Sequence, residues 1–146
     1  MKRQVKADAC PCGGGDYATC CGVYHHDYQA GAAADSAERL MRSRYSAYVL
    51  GLTEYVVATW HASTRPALDE LAHDAGSKWL GLAVKRHEAN GDSATVEFVA
   101  RYKLDGRAHR LHEISRFVRE EGRWFYVDGS FPERRTQHDD ARIKAQ

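Results

Sequence analysis

The first usable hydrophobic period begins after residue 35. Ala37, Met41, Tyr45, Tyr48 and Leu52 recur at three- and four-residue spacing, which predicts one buried stripe on a helix from about Asp35 to Leu50. Asp35 can accept from the free amides of the first turn, with Glu38 three residues on as in a capping box, and Gly51 suits a left-handed stop. Thr53 can cap a second short helix, EYVVATWH, and Pro66 opens a third, PALDELAHDA, closed by Gly76. From Trp79 the period changes to two. WLGLAVKRHEA, SATVEFVARYKL, AHRLHEISRFVRE and RWFYVDGS read as four strands, and the joins AN-GD, L-DG-R and EE-GR as hairpin turns. Consecutive hairpins make an antiparallel meander. Helices first and a meander afterwards is an α+β order, with the helices packed on one face of a curved antiparallel sheet. That order excludes a βαβ nucleotide-binding fold, and no Gly-rich phosphate fingerprint follows a strand.

The periodic body spans residues 31–130, opening on the short linker GAAAD. Residues 1–30 are rich in Gly, Cys, Tyr and His and carry no period, and 131–146 read as a polar tail that frays. A chain of 146 residues buries one core of respectable size, and a second full domain is not expected. With 21 basic against 20 acidic side chains the net charge is +1, which gives no footprint for nucleic acid or an anionic membrane. Within residues 1–30 the same balance holds, Lys2, Arg3 and Lys6 against Asp8, Asp16 and Asp27. The opening MKRQVKADACPC lacks the apolar stretch of a secretory signal, and no run reaches membrane-spanning length. A cytoplasmic location, where thiols stay reduced, is the expectation.

All four cysteines fall within residues 10–21, as Cys10-x-Cys12, seven intervening residues, then Cys20-Cys21. In a reducing compartment such a cluster reads as metal ligands or redox groups before it reads as a disulfide staple. Zinc takes four thiolates in a tetrahedron, and Gly13, Gly14 and Gly15 allow the tight reversal that brings two pairs round one ion. A redox dithiol is the rival; its usual CxxC spacing at a helix start is missing here. His25 and His26 stand close enough to serve as substitute ligands, although an adjacent His pair beside tyrosines more often packs or is solvated.

ACPCGGGDYATCCGVYH resembles the SEC-C motif, the small zinc module also found at the C-terminus of the SecA translocation motor. LMRSRYSAYVLG, ATWHAS, WLGL, VEFVARY and HEISRFVREEGRWFYVDG extend the resemblance to the YchJ-like bacterial family, which couples an N-terminal SEC-C motif to a nuclear-transport-factor-2-like domain. The resemblance covers roughly residues 9–130 and implies a zinc ion on Cys10, Cys12, Cys20 and Cys21 and a cone-shaped fold. Two departures stand out. The loop between the inner cysteines is one residue shorter than the family's usual eight, and no second SEC-C motif follows Phe131.

A curved sheet closed by helices encloses a cone that holds a ligand or is filled. Strand alternation groups Val96, Phe98, Ala100 and Tyr102 on one face and Thr95, Glu97, Val99 and Arg101 on the other. On the next strand His112, Ile114, Arg116 and Val118 oppose Glu113, Ser115, Phe117 and Arg119, and the last strand places Trp124, Tyr126 and Asp128 together. Which face lines the cone depends on register. The candidate pocket residues are Arg44, Trp60, His61, Glu97, Arg101, Glu113, Arg116 and Asp128, with Trp60 and His61 at its mouth. The competing view is a structural network in which Arg44, Glu113 and Arg116 pair internally among core aromatics, and Arg42 and Arg44 together also suit a small basic patch.

Two functional classes follow. The leading one is a non-enzymatic, zinc-stabilised protein-interaction module whose knuckle meets a protein partner and whose cone is a scaffold. The alternative is a small-molecule-binding or enzymatic cone, isomerase- or dehydratase-like, with a purely structural zinc. An open cavity would favour the second.

Overall fold

The computed structural model describes residues 9–27, 33–71 and 78–132. A single 3-10 turn, Tyr17–Thr19, leads into α1 (Cys21–Asp27); α2 (Ala37–Leu50), α3 (Thr53–Ala58) and the one-turn α4 (Leu68–Leu71) follow. Among the described residues four strands follow, β1 (Lys78–Asn90), β2 (Ser93–Leu104), β3 (Arg107–Glu120) and β4 (Arg123–Ser130), in one antiparallel sheet of order β1-β2-β3-β4. This is the α+β meander expected from the sequence, with α2 laid across its concave face.

Local chemistry explains most of the boundaries. The N-cap of α2 is Ser36 and not Asp35: its hydroxyl accepts from the Arg39 amide at 3.1 Å. Glu38 turns instead to Arg42, one helical turn on, at 3.0 Å. Gly51 ends the helix at φ 76°. The second helix stops at Ala58, three residues before the expected His61, because the backbone of residues 59–61 is claimed by the sheet. The His61 amide donates to the Tyr126 carbonyl at 2.7 Å, and the Tyr126 amide donates to the Thr59 carbonyl at 2.9 Å. These bonds make a short parallel bridge that pins Trp60 beside β4. Of the third expected helix only Leu68–Leu71 is described as helical; residues 72–77, the linker residues 31–32 and the tail beyond 132 lie outside the described residues.

Hairpins at Asp105-Gly106 and Glu121-Gly122 have both central residues at positive φ, as the twist of a two-residue turn requires. The first hairpin turns on Gly91-Asp92, one residue later than the Asn-Gly signal suggests, since Asn90 still pairs with Ser93. Irregularities at Leu80 and Lys85 in β1 and at Val127 in β4 interrupt the ladders and bend the sheet. Ala94, Val96, Phe98 and Ala100 of β2, Phe117 of β3 and Trp124 of β4 meet Ala37, Leu40, Met41 and Tyr45 of α2 in the main core. The four cysteines belong to that same cluster. Among the described residues no helix is long and apolar enough to cross a membrane.

Candidate metal centre and cone cavity

Residues 9–16 close a tight reversal. Ala9 bridges Asp16, the Cys10 amide donates to the Gly15 carbonyl at 2.7 Å, and the Gly13 amide donates to the Cys10 carbonyl at 3.0 Å. Gly13 and Gly15 sit at φ 86° and 118°, positions that side chains rarely tolerate. Gly14 has a different duty: a Cβ there would stand 3.0 Å from the Cys20 sulfur and 3.3 Å from that of Cys12. The loop is folded onto its own thiols.

All four sulfurs lie within 4.8 Å of one another and are buried, so Cys10, Cys12, Cys20 and Cys21 could hold one metal ion. Cys12 Sγ is 3.6 Å from both Cys10 Sγ and Cys20 Sγ. Zinc–sulfur bonds of about 2.3 Å in a tetrahedron put the sulfurs about 3.8 Å apart, so the donor set fits. The loop of seven residues is therefore long enough. Charge is unevenly shared among the thiols. Hydrogen bonding, first from Cys21, draws Cys12 down to about 4, whereas burial and the neighbouring Cys12 push Cys20 up to about 11. Cys21 is raised far above the ordinary thiol range, chiefly by its hydrogen bond with Cys12 and then by burial. Four thiolates this close together would need a cation among them, which a divalent ion would supply.

The cluster is seated on α2. Ser46 Oγ donates to Cys21 Sγ at 3.3 Å and lies 3.5 Å from Cys10 Sγ. Arg42 Nη1 donates to the Cys12 carbonyl at 3.1 Å. His25 is not among the clustered donors: Nε2–H donates to the Ser43 carbonyl at 2.8 Å, which leaves Nδ1 to accept from Tyr17 OH at 2.7 Å. Burial lowers its pKa, consistent with this neutral tautomer. The knuckle and the body thus share one core.

On the other side of α2, a cavity of about 240 Å³ opens between the helix and the sheet. Aromatic rings, among them Tyr45, Tyr48, Trp60 and Trp79, supply half of its lining residues, and Arg44 and Glu113 are its charged members. Arg44 is 5% exposed. Its Nη1 donates to the Val56 carbonyl at 2.7 Å and to Thr59 Oγ1 at 2.8 Å, at the C-terminal end of α3. The guanidinium carbon lies 4.5 Å from the centre of the Tyr126 ring and 5.1 Å from that of Trp60. Glu113 Oε2 accepts from Ser115 Oγ at 2.8 Å and Tyr126 OH at 3.1 Å. Burial raises the Glu113 pKa against those two bonds, and burial followed by the nearby carboxylate raises that of Tyr126.

The family model described as "YchJ, middle NTF2-like domain" matches residues 36–129, the span that builds this cavity. A UPF0225 protein of Chromobacterium violaceum is 56% identical over 132 residues, covering 88% of this chain and 96% of its own. One from Methylibium petroleiphilum is 61% identical over 121 residues, covering 82% and 86%. The chain belongs to the YchJ-like UPF0225 family. Two solved SEC-C motif containing proteins share the architecture. The solution structure from Rhodopseudomonas palustris has TM-score 0.77 at 35% identity, over 84% of this chain and 98% of that one. The crystal structure from Psychrobacter arcticus has TM-score 0.72 at 30% identity, over 86% and 83%. A Mycobacterium tuberculosis epoxide hydrolase of the LEH-like type, TM-score 0.51 at 12% identity over 68% and 82%, shares the fold alone.

Of the eight pocket candidates in this YchJ-like chain, Arg44, Trp60 and Glu113 line the cavity. The other five stand elsewhere. His61 Nε2 pairs with Glu120 at 2.8 Å and its Nδ1 lies 2.7 Å from Ser63 Oγ, away from the cavity. Glu97 pairs with His112 at 2.7 Å on the convex face, where Arg101 is exposed. Arg116 clasps Asp128 on that same outer face, Nε to Oδ1 at 2.6 Å and Nη2 to Oδ2 at 2.7 Å. The internal Arg44–Glu113–Arg116 network is therefore not formed. Asp128 parts from Trp124 and Tyr126 because the register slips between Arg116 and Phe117, leaving Val127 as the extra residue and turning Asp128 outward. Ser115 and Thr59 were not singled out from the sequence, since a small hydroxyl in a strand or at a helix end carries no signal of its own. Arg42 and Arg44 form no basic patch; they reach to opposite sides of α2.

Proposed function

We propose that this chain is a small-molecule-binding cone protein stabilised by one structural zinc ion on Cys10, Cys12, Cys20 and Cys21. The observation that carries the reading is the cavity: 240 Å³ lined by aromatic rings, with a buried cation and a buried carboxyl group facing the same space. A filled scaffold has no use for that arrangement, since burying a charge without need is costly. The thiols support the second half of the reading. They turn toward Ser46 and the core and not toward solvent, so the metal acts on the fold.

The test has two parts. Elemental analysis of the purified chain finds about one zinc per molecule, and thiol titration of the folded chain leaves the four cysteines unreactive until a chelator is added. Ligand-observed NMR with a set of single-ring fragments finds binders that a cavity-filling Ala100→Phe change displaces. Metal-free protein of unaltered stability, or a fragment set with no binder, would retire the corresponding half.

A further inference from the structure

Two guanidinium groups, the exposed Arg116 and the buried Arg44, invite comparison. Arg116 uses its Nε–Nη2 edge to hold the Asp128 carboxylate through two parallel hydrogen bonds. In Arg44 the donors with a described partner are those of Nη1, committed to Val56 and Thr59. Its Nε–Nη2 edge, the geometry that suits a carboxylate, bonds to no described residue, and neither nitrogen is sealed from solvent. No carboxylate among the described residues comes within ion-pair distance of Arg44, although the group is 5% exposed. Nearby Glu113 does not fill the role. Its Oε2 is occupied by Ser115 and Tyr126, and its surroundings favour the neutral acid.

We propose that the Nε–Nη2 edge of Arg44 is an anion subsite and that the cavity takes a small monocarboxylate with a compact, apolar, preferably aromatic body. This rests on the reading of the cone as a small-molecule site and names its ligand class. The aromatic faces of Trp60 and Tyr126 fix the plane of the guanidinium, so its free edge is held in one direction before any ligand arrives. An incoming carboxylate completes a buried charge pair that the protein alone leaves open. The rings of Tyr45, Tyr48 and Trp79 receive the apolar body, and Glu113 is already engaged by the hydroxyls of Ser115 and Tyr126.

The probes are benzoate, benzyl alcohol and benzylamine, which share a ring and differ in charge. They are titrated into the full, metal-loaded chain and followed by calorimetry and by amide shifts of residues 44–48 and 111–115. Benzoate is expected to bind about tenfold or more tighter than benzyl alcohol, with benzylamine the weakest. Arg44→Met, checked for a native-like amide spectrum, loses that preference while retaining benzyl alcohol binding. Should Arg44→Met fail to fold, Glu113→Gln decides with the probe series: it retains benzoate binding, because it keeps a hydrogen-bonding side chain of the same shape beside Ser115 and Tyr126 and leaves the Arg44 edge untouched. Equal binding of the three probes overturns the anion subsite and leaves the cone reading intact. A preference for benzylamine, or a tenfold loss of benzoate binding in Glu113→Gln, overturns it in favour of a cation site. No binding by any probe removes this proposal, and failure of the wider fragment set separately removes the cone reading.

Discussion

Ser46, midway along α2, hydrogen-bonds the Cys21 sulfur at 3.3 Å and so joins the knuckle to the helix that roofs the cavity. The cysteine pairs are therefore braced by the body, and the body is braced by them. Independent modules would melt separately; these share a core with Ala37, Leu40 and Met41.

Cys12→Ser, or stripping the metal with a chelator, is expected to lower the melting temperature of the whole chain by roughly 10 °C or more in a single transition. Scanning calorimetry checks it. Two separate transitions, or a main transition left in place, would show that the knuckle is an independent appendage. Gly14→Ala is expected to act in the same direction through the space its Cβ takes beside two sulfurs.

Arg116→Ala should leave stability within experimental error, because Arg116 and Asp128 form a solvent-exposed pair with side chains 62% and 47% accessible. Urea unfolding of the variant against the parent decides the matter. A large loss would mean that the pair is shielded by something the described residues do not include.

Gly129 pairs with Ser115 across the β3–β4 ladder, and a Cβ there would overlap the Glu113 carboxyl group, with Cδ only 2.7 Å away. Gly129→Ala is expected to cost about 1–3 kcal/mol by crowding. Combined with Glu113→Ala the cost should largely vanish, since the clashing group is gone. Additive effects in the double-mutant cycle would contradict the contact.

The raised pKa of Glu113 has a signed consequence. Burial makes the folded state prefer the neutral acid, so the stability Glu113 contributes is full below the ordinary value of 4.5 and is lost as pH rises through the elevated folded value. Glu113→Gln removes this penalty. Its stability relative to the parent should climb from pH 4 toward pH 8; a flat difference across that range would show that the carboxyl titrates normally. Asp128 behaves oppositely, held low by Arg116.

Much of this was legible before any coordinates. Strict alternation from Trp79 onward and three Gly-bearing turns dictate the meander, and a cluster of thiols on a glycine loop can do few things. What escaped the sequence has a common physical origin in single long-range backbone events. One extra residue at Val127 reverses the side on which Asp128 lies, and no side-chain pattern records a bulge. The pairing of residues 59–61 with Tyr126 shortens α3 and fixes Trp60, yet those partners are 65 residues or more apart in sequence. Likewise Arg42 and Arg44 are equivalent in composition and separate only when the helix is given neighbours on both sides.

That doubled neighbourhood has a cost in evolutionary freedom. Ser43, Arg44, Tyr45, Ser46 and Ala47 are all buried, an unbroken run that takes in more than a full turn of α2. An ordinary surface helix keeps a solvent side on which substitutions accumulate freely; this one has none across its middle. Saturation mutagenesis of residues 43–47 should return few tolerated changes at any position, whereas the ends of the same helix, where Arg39 and Leu50 are exposed, should accept many.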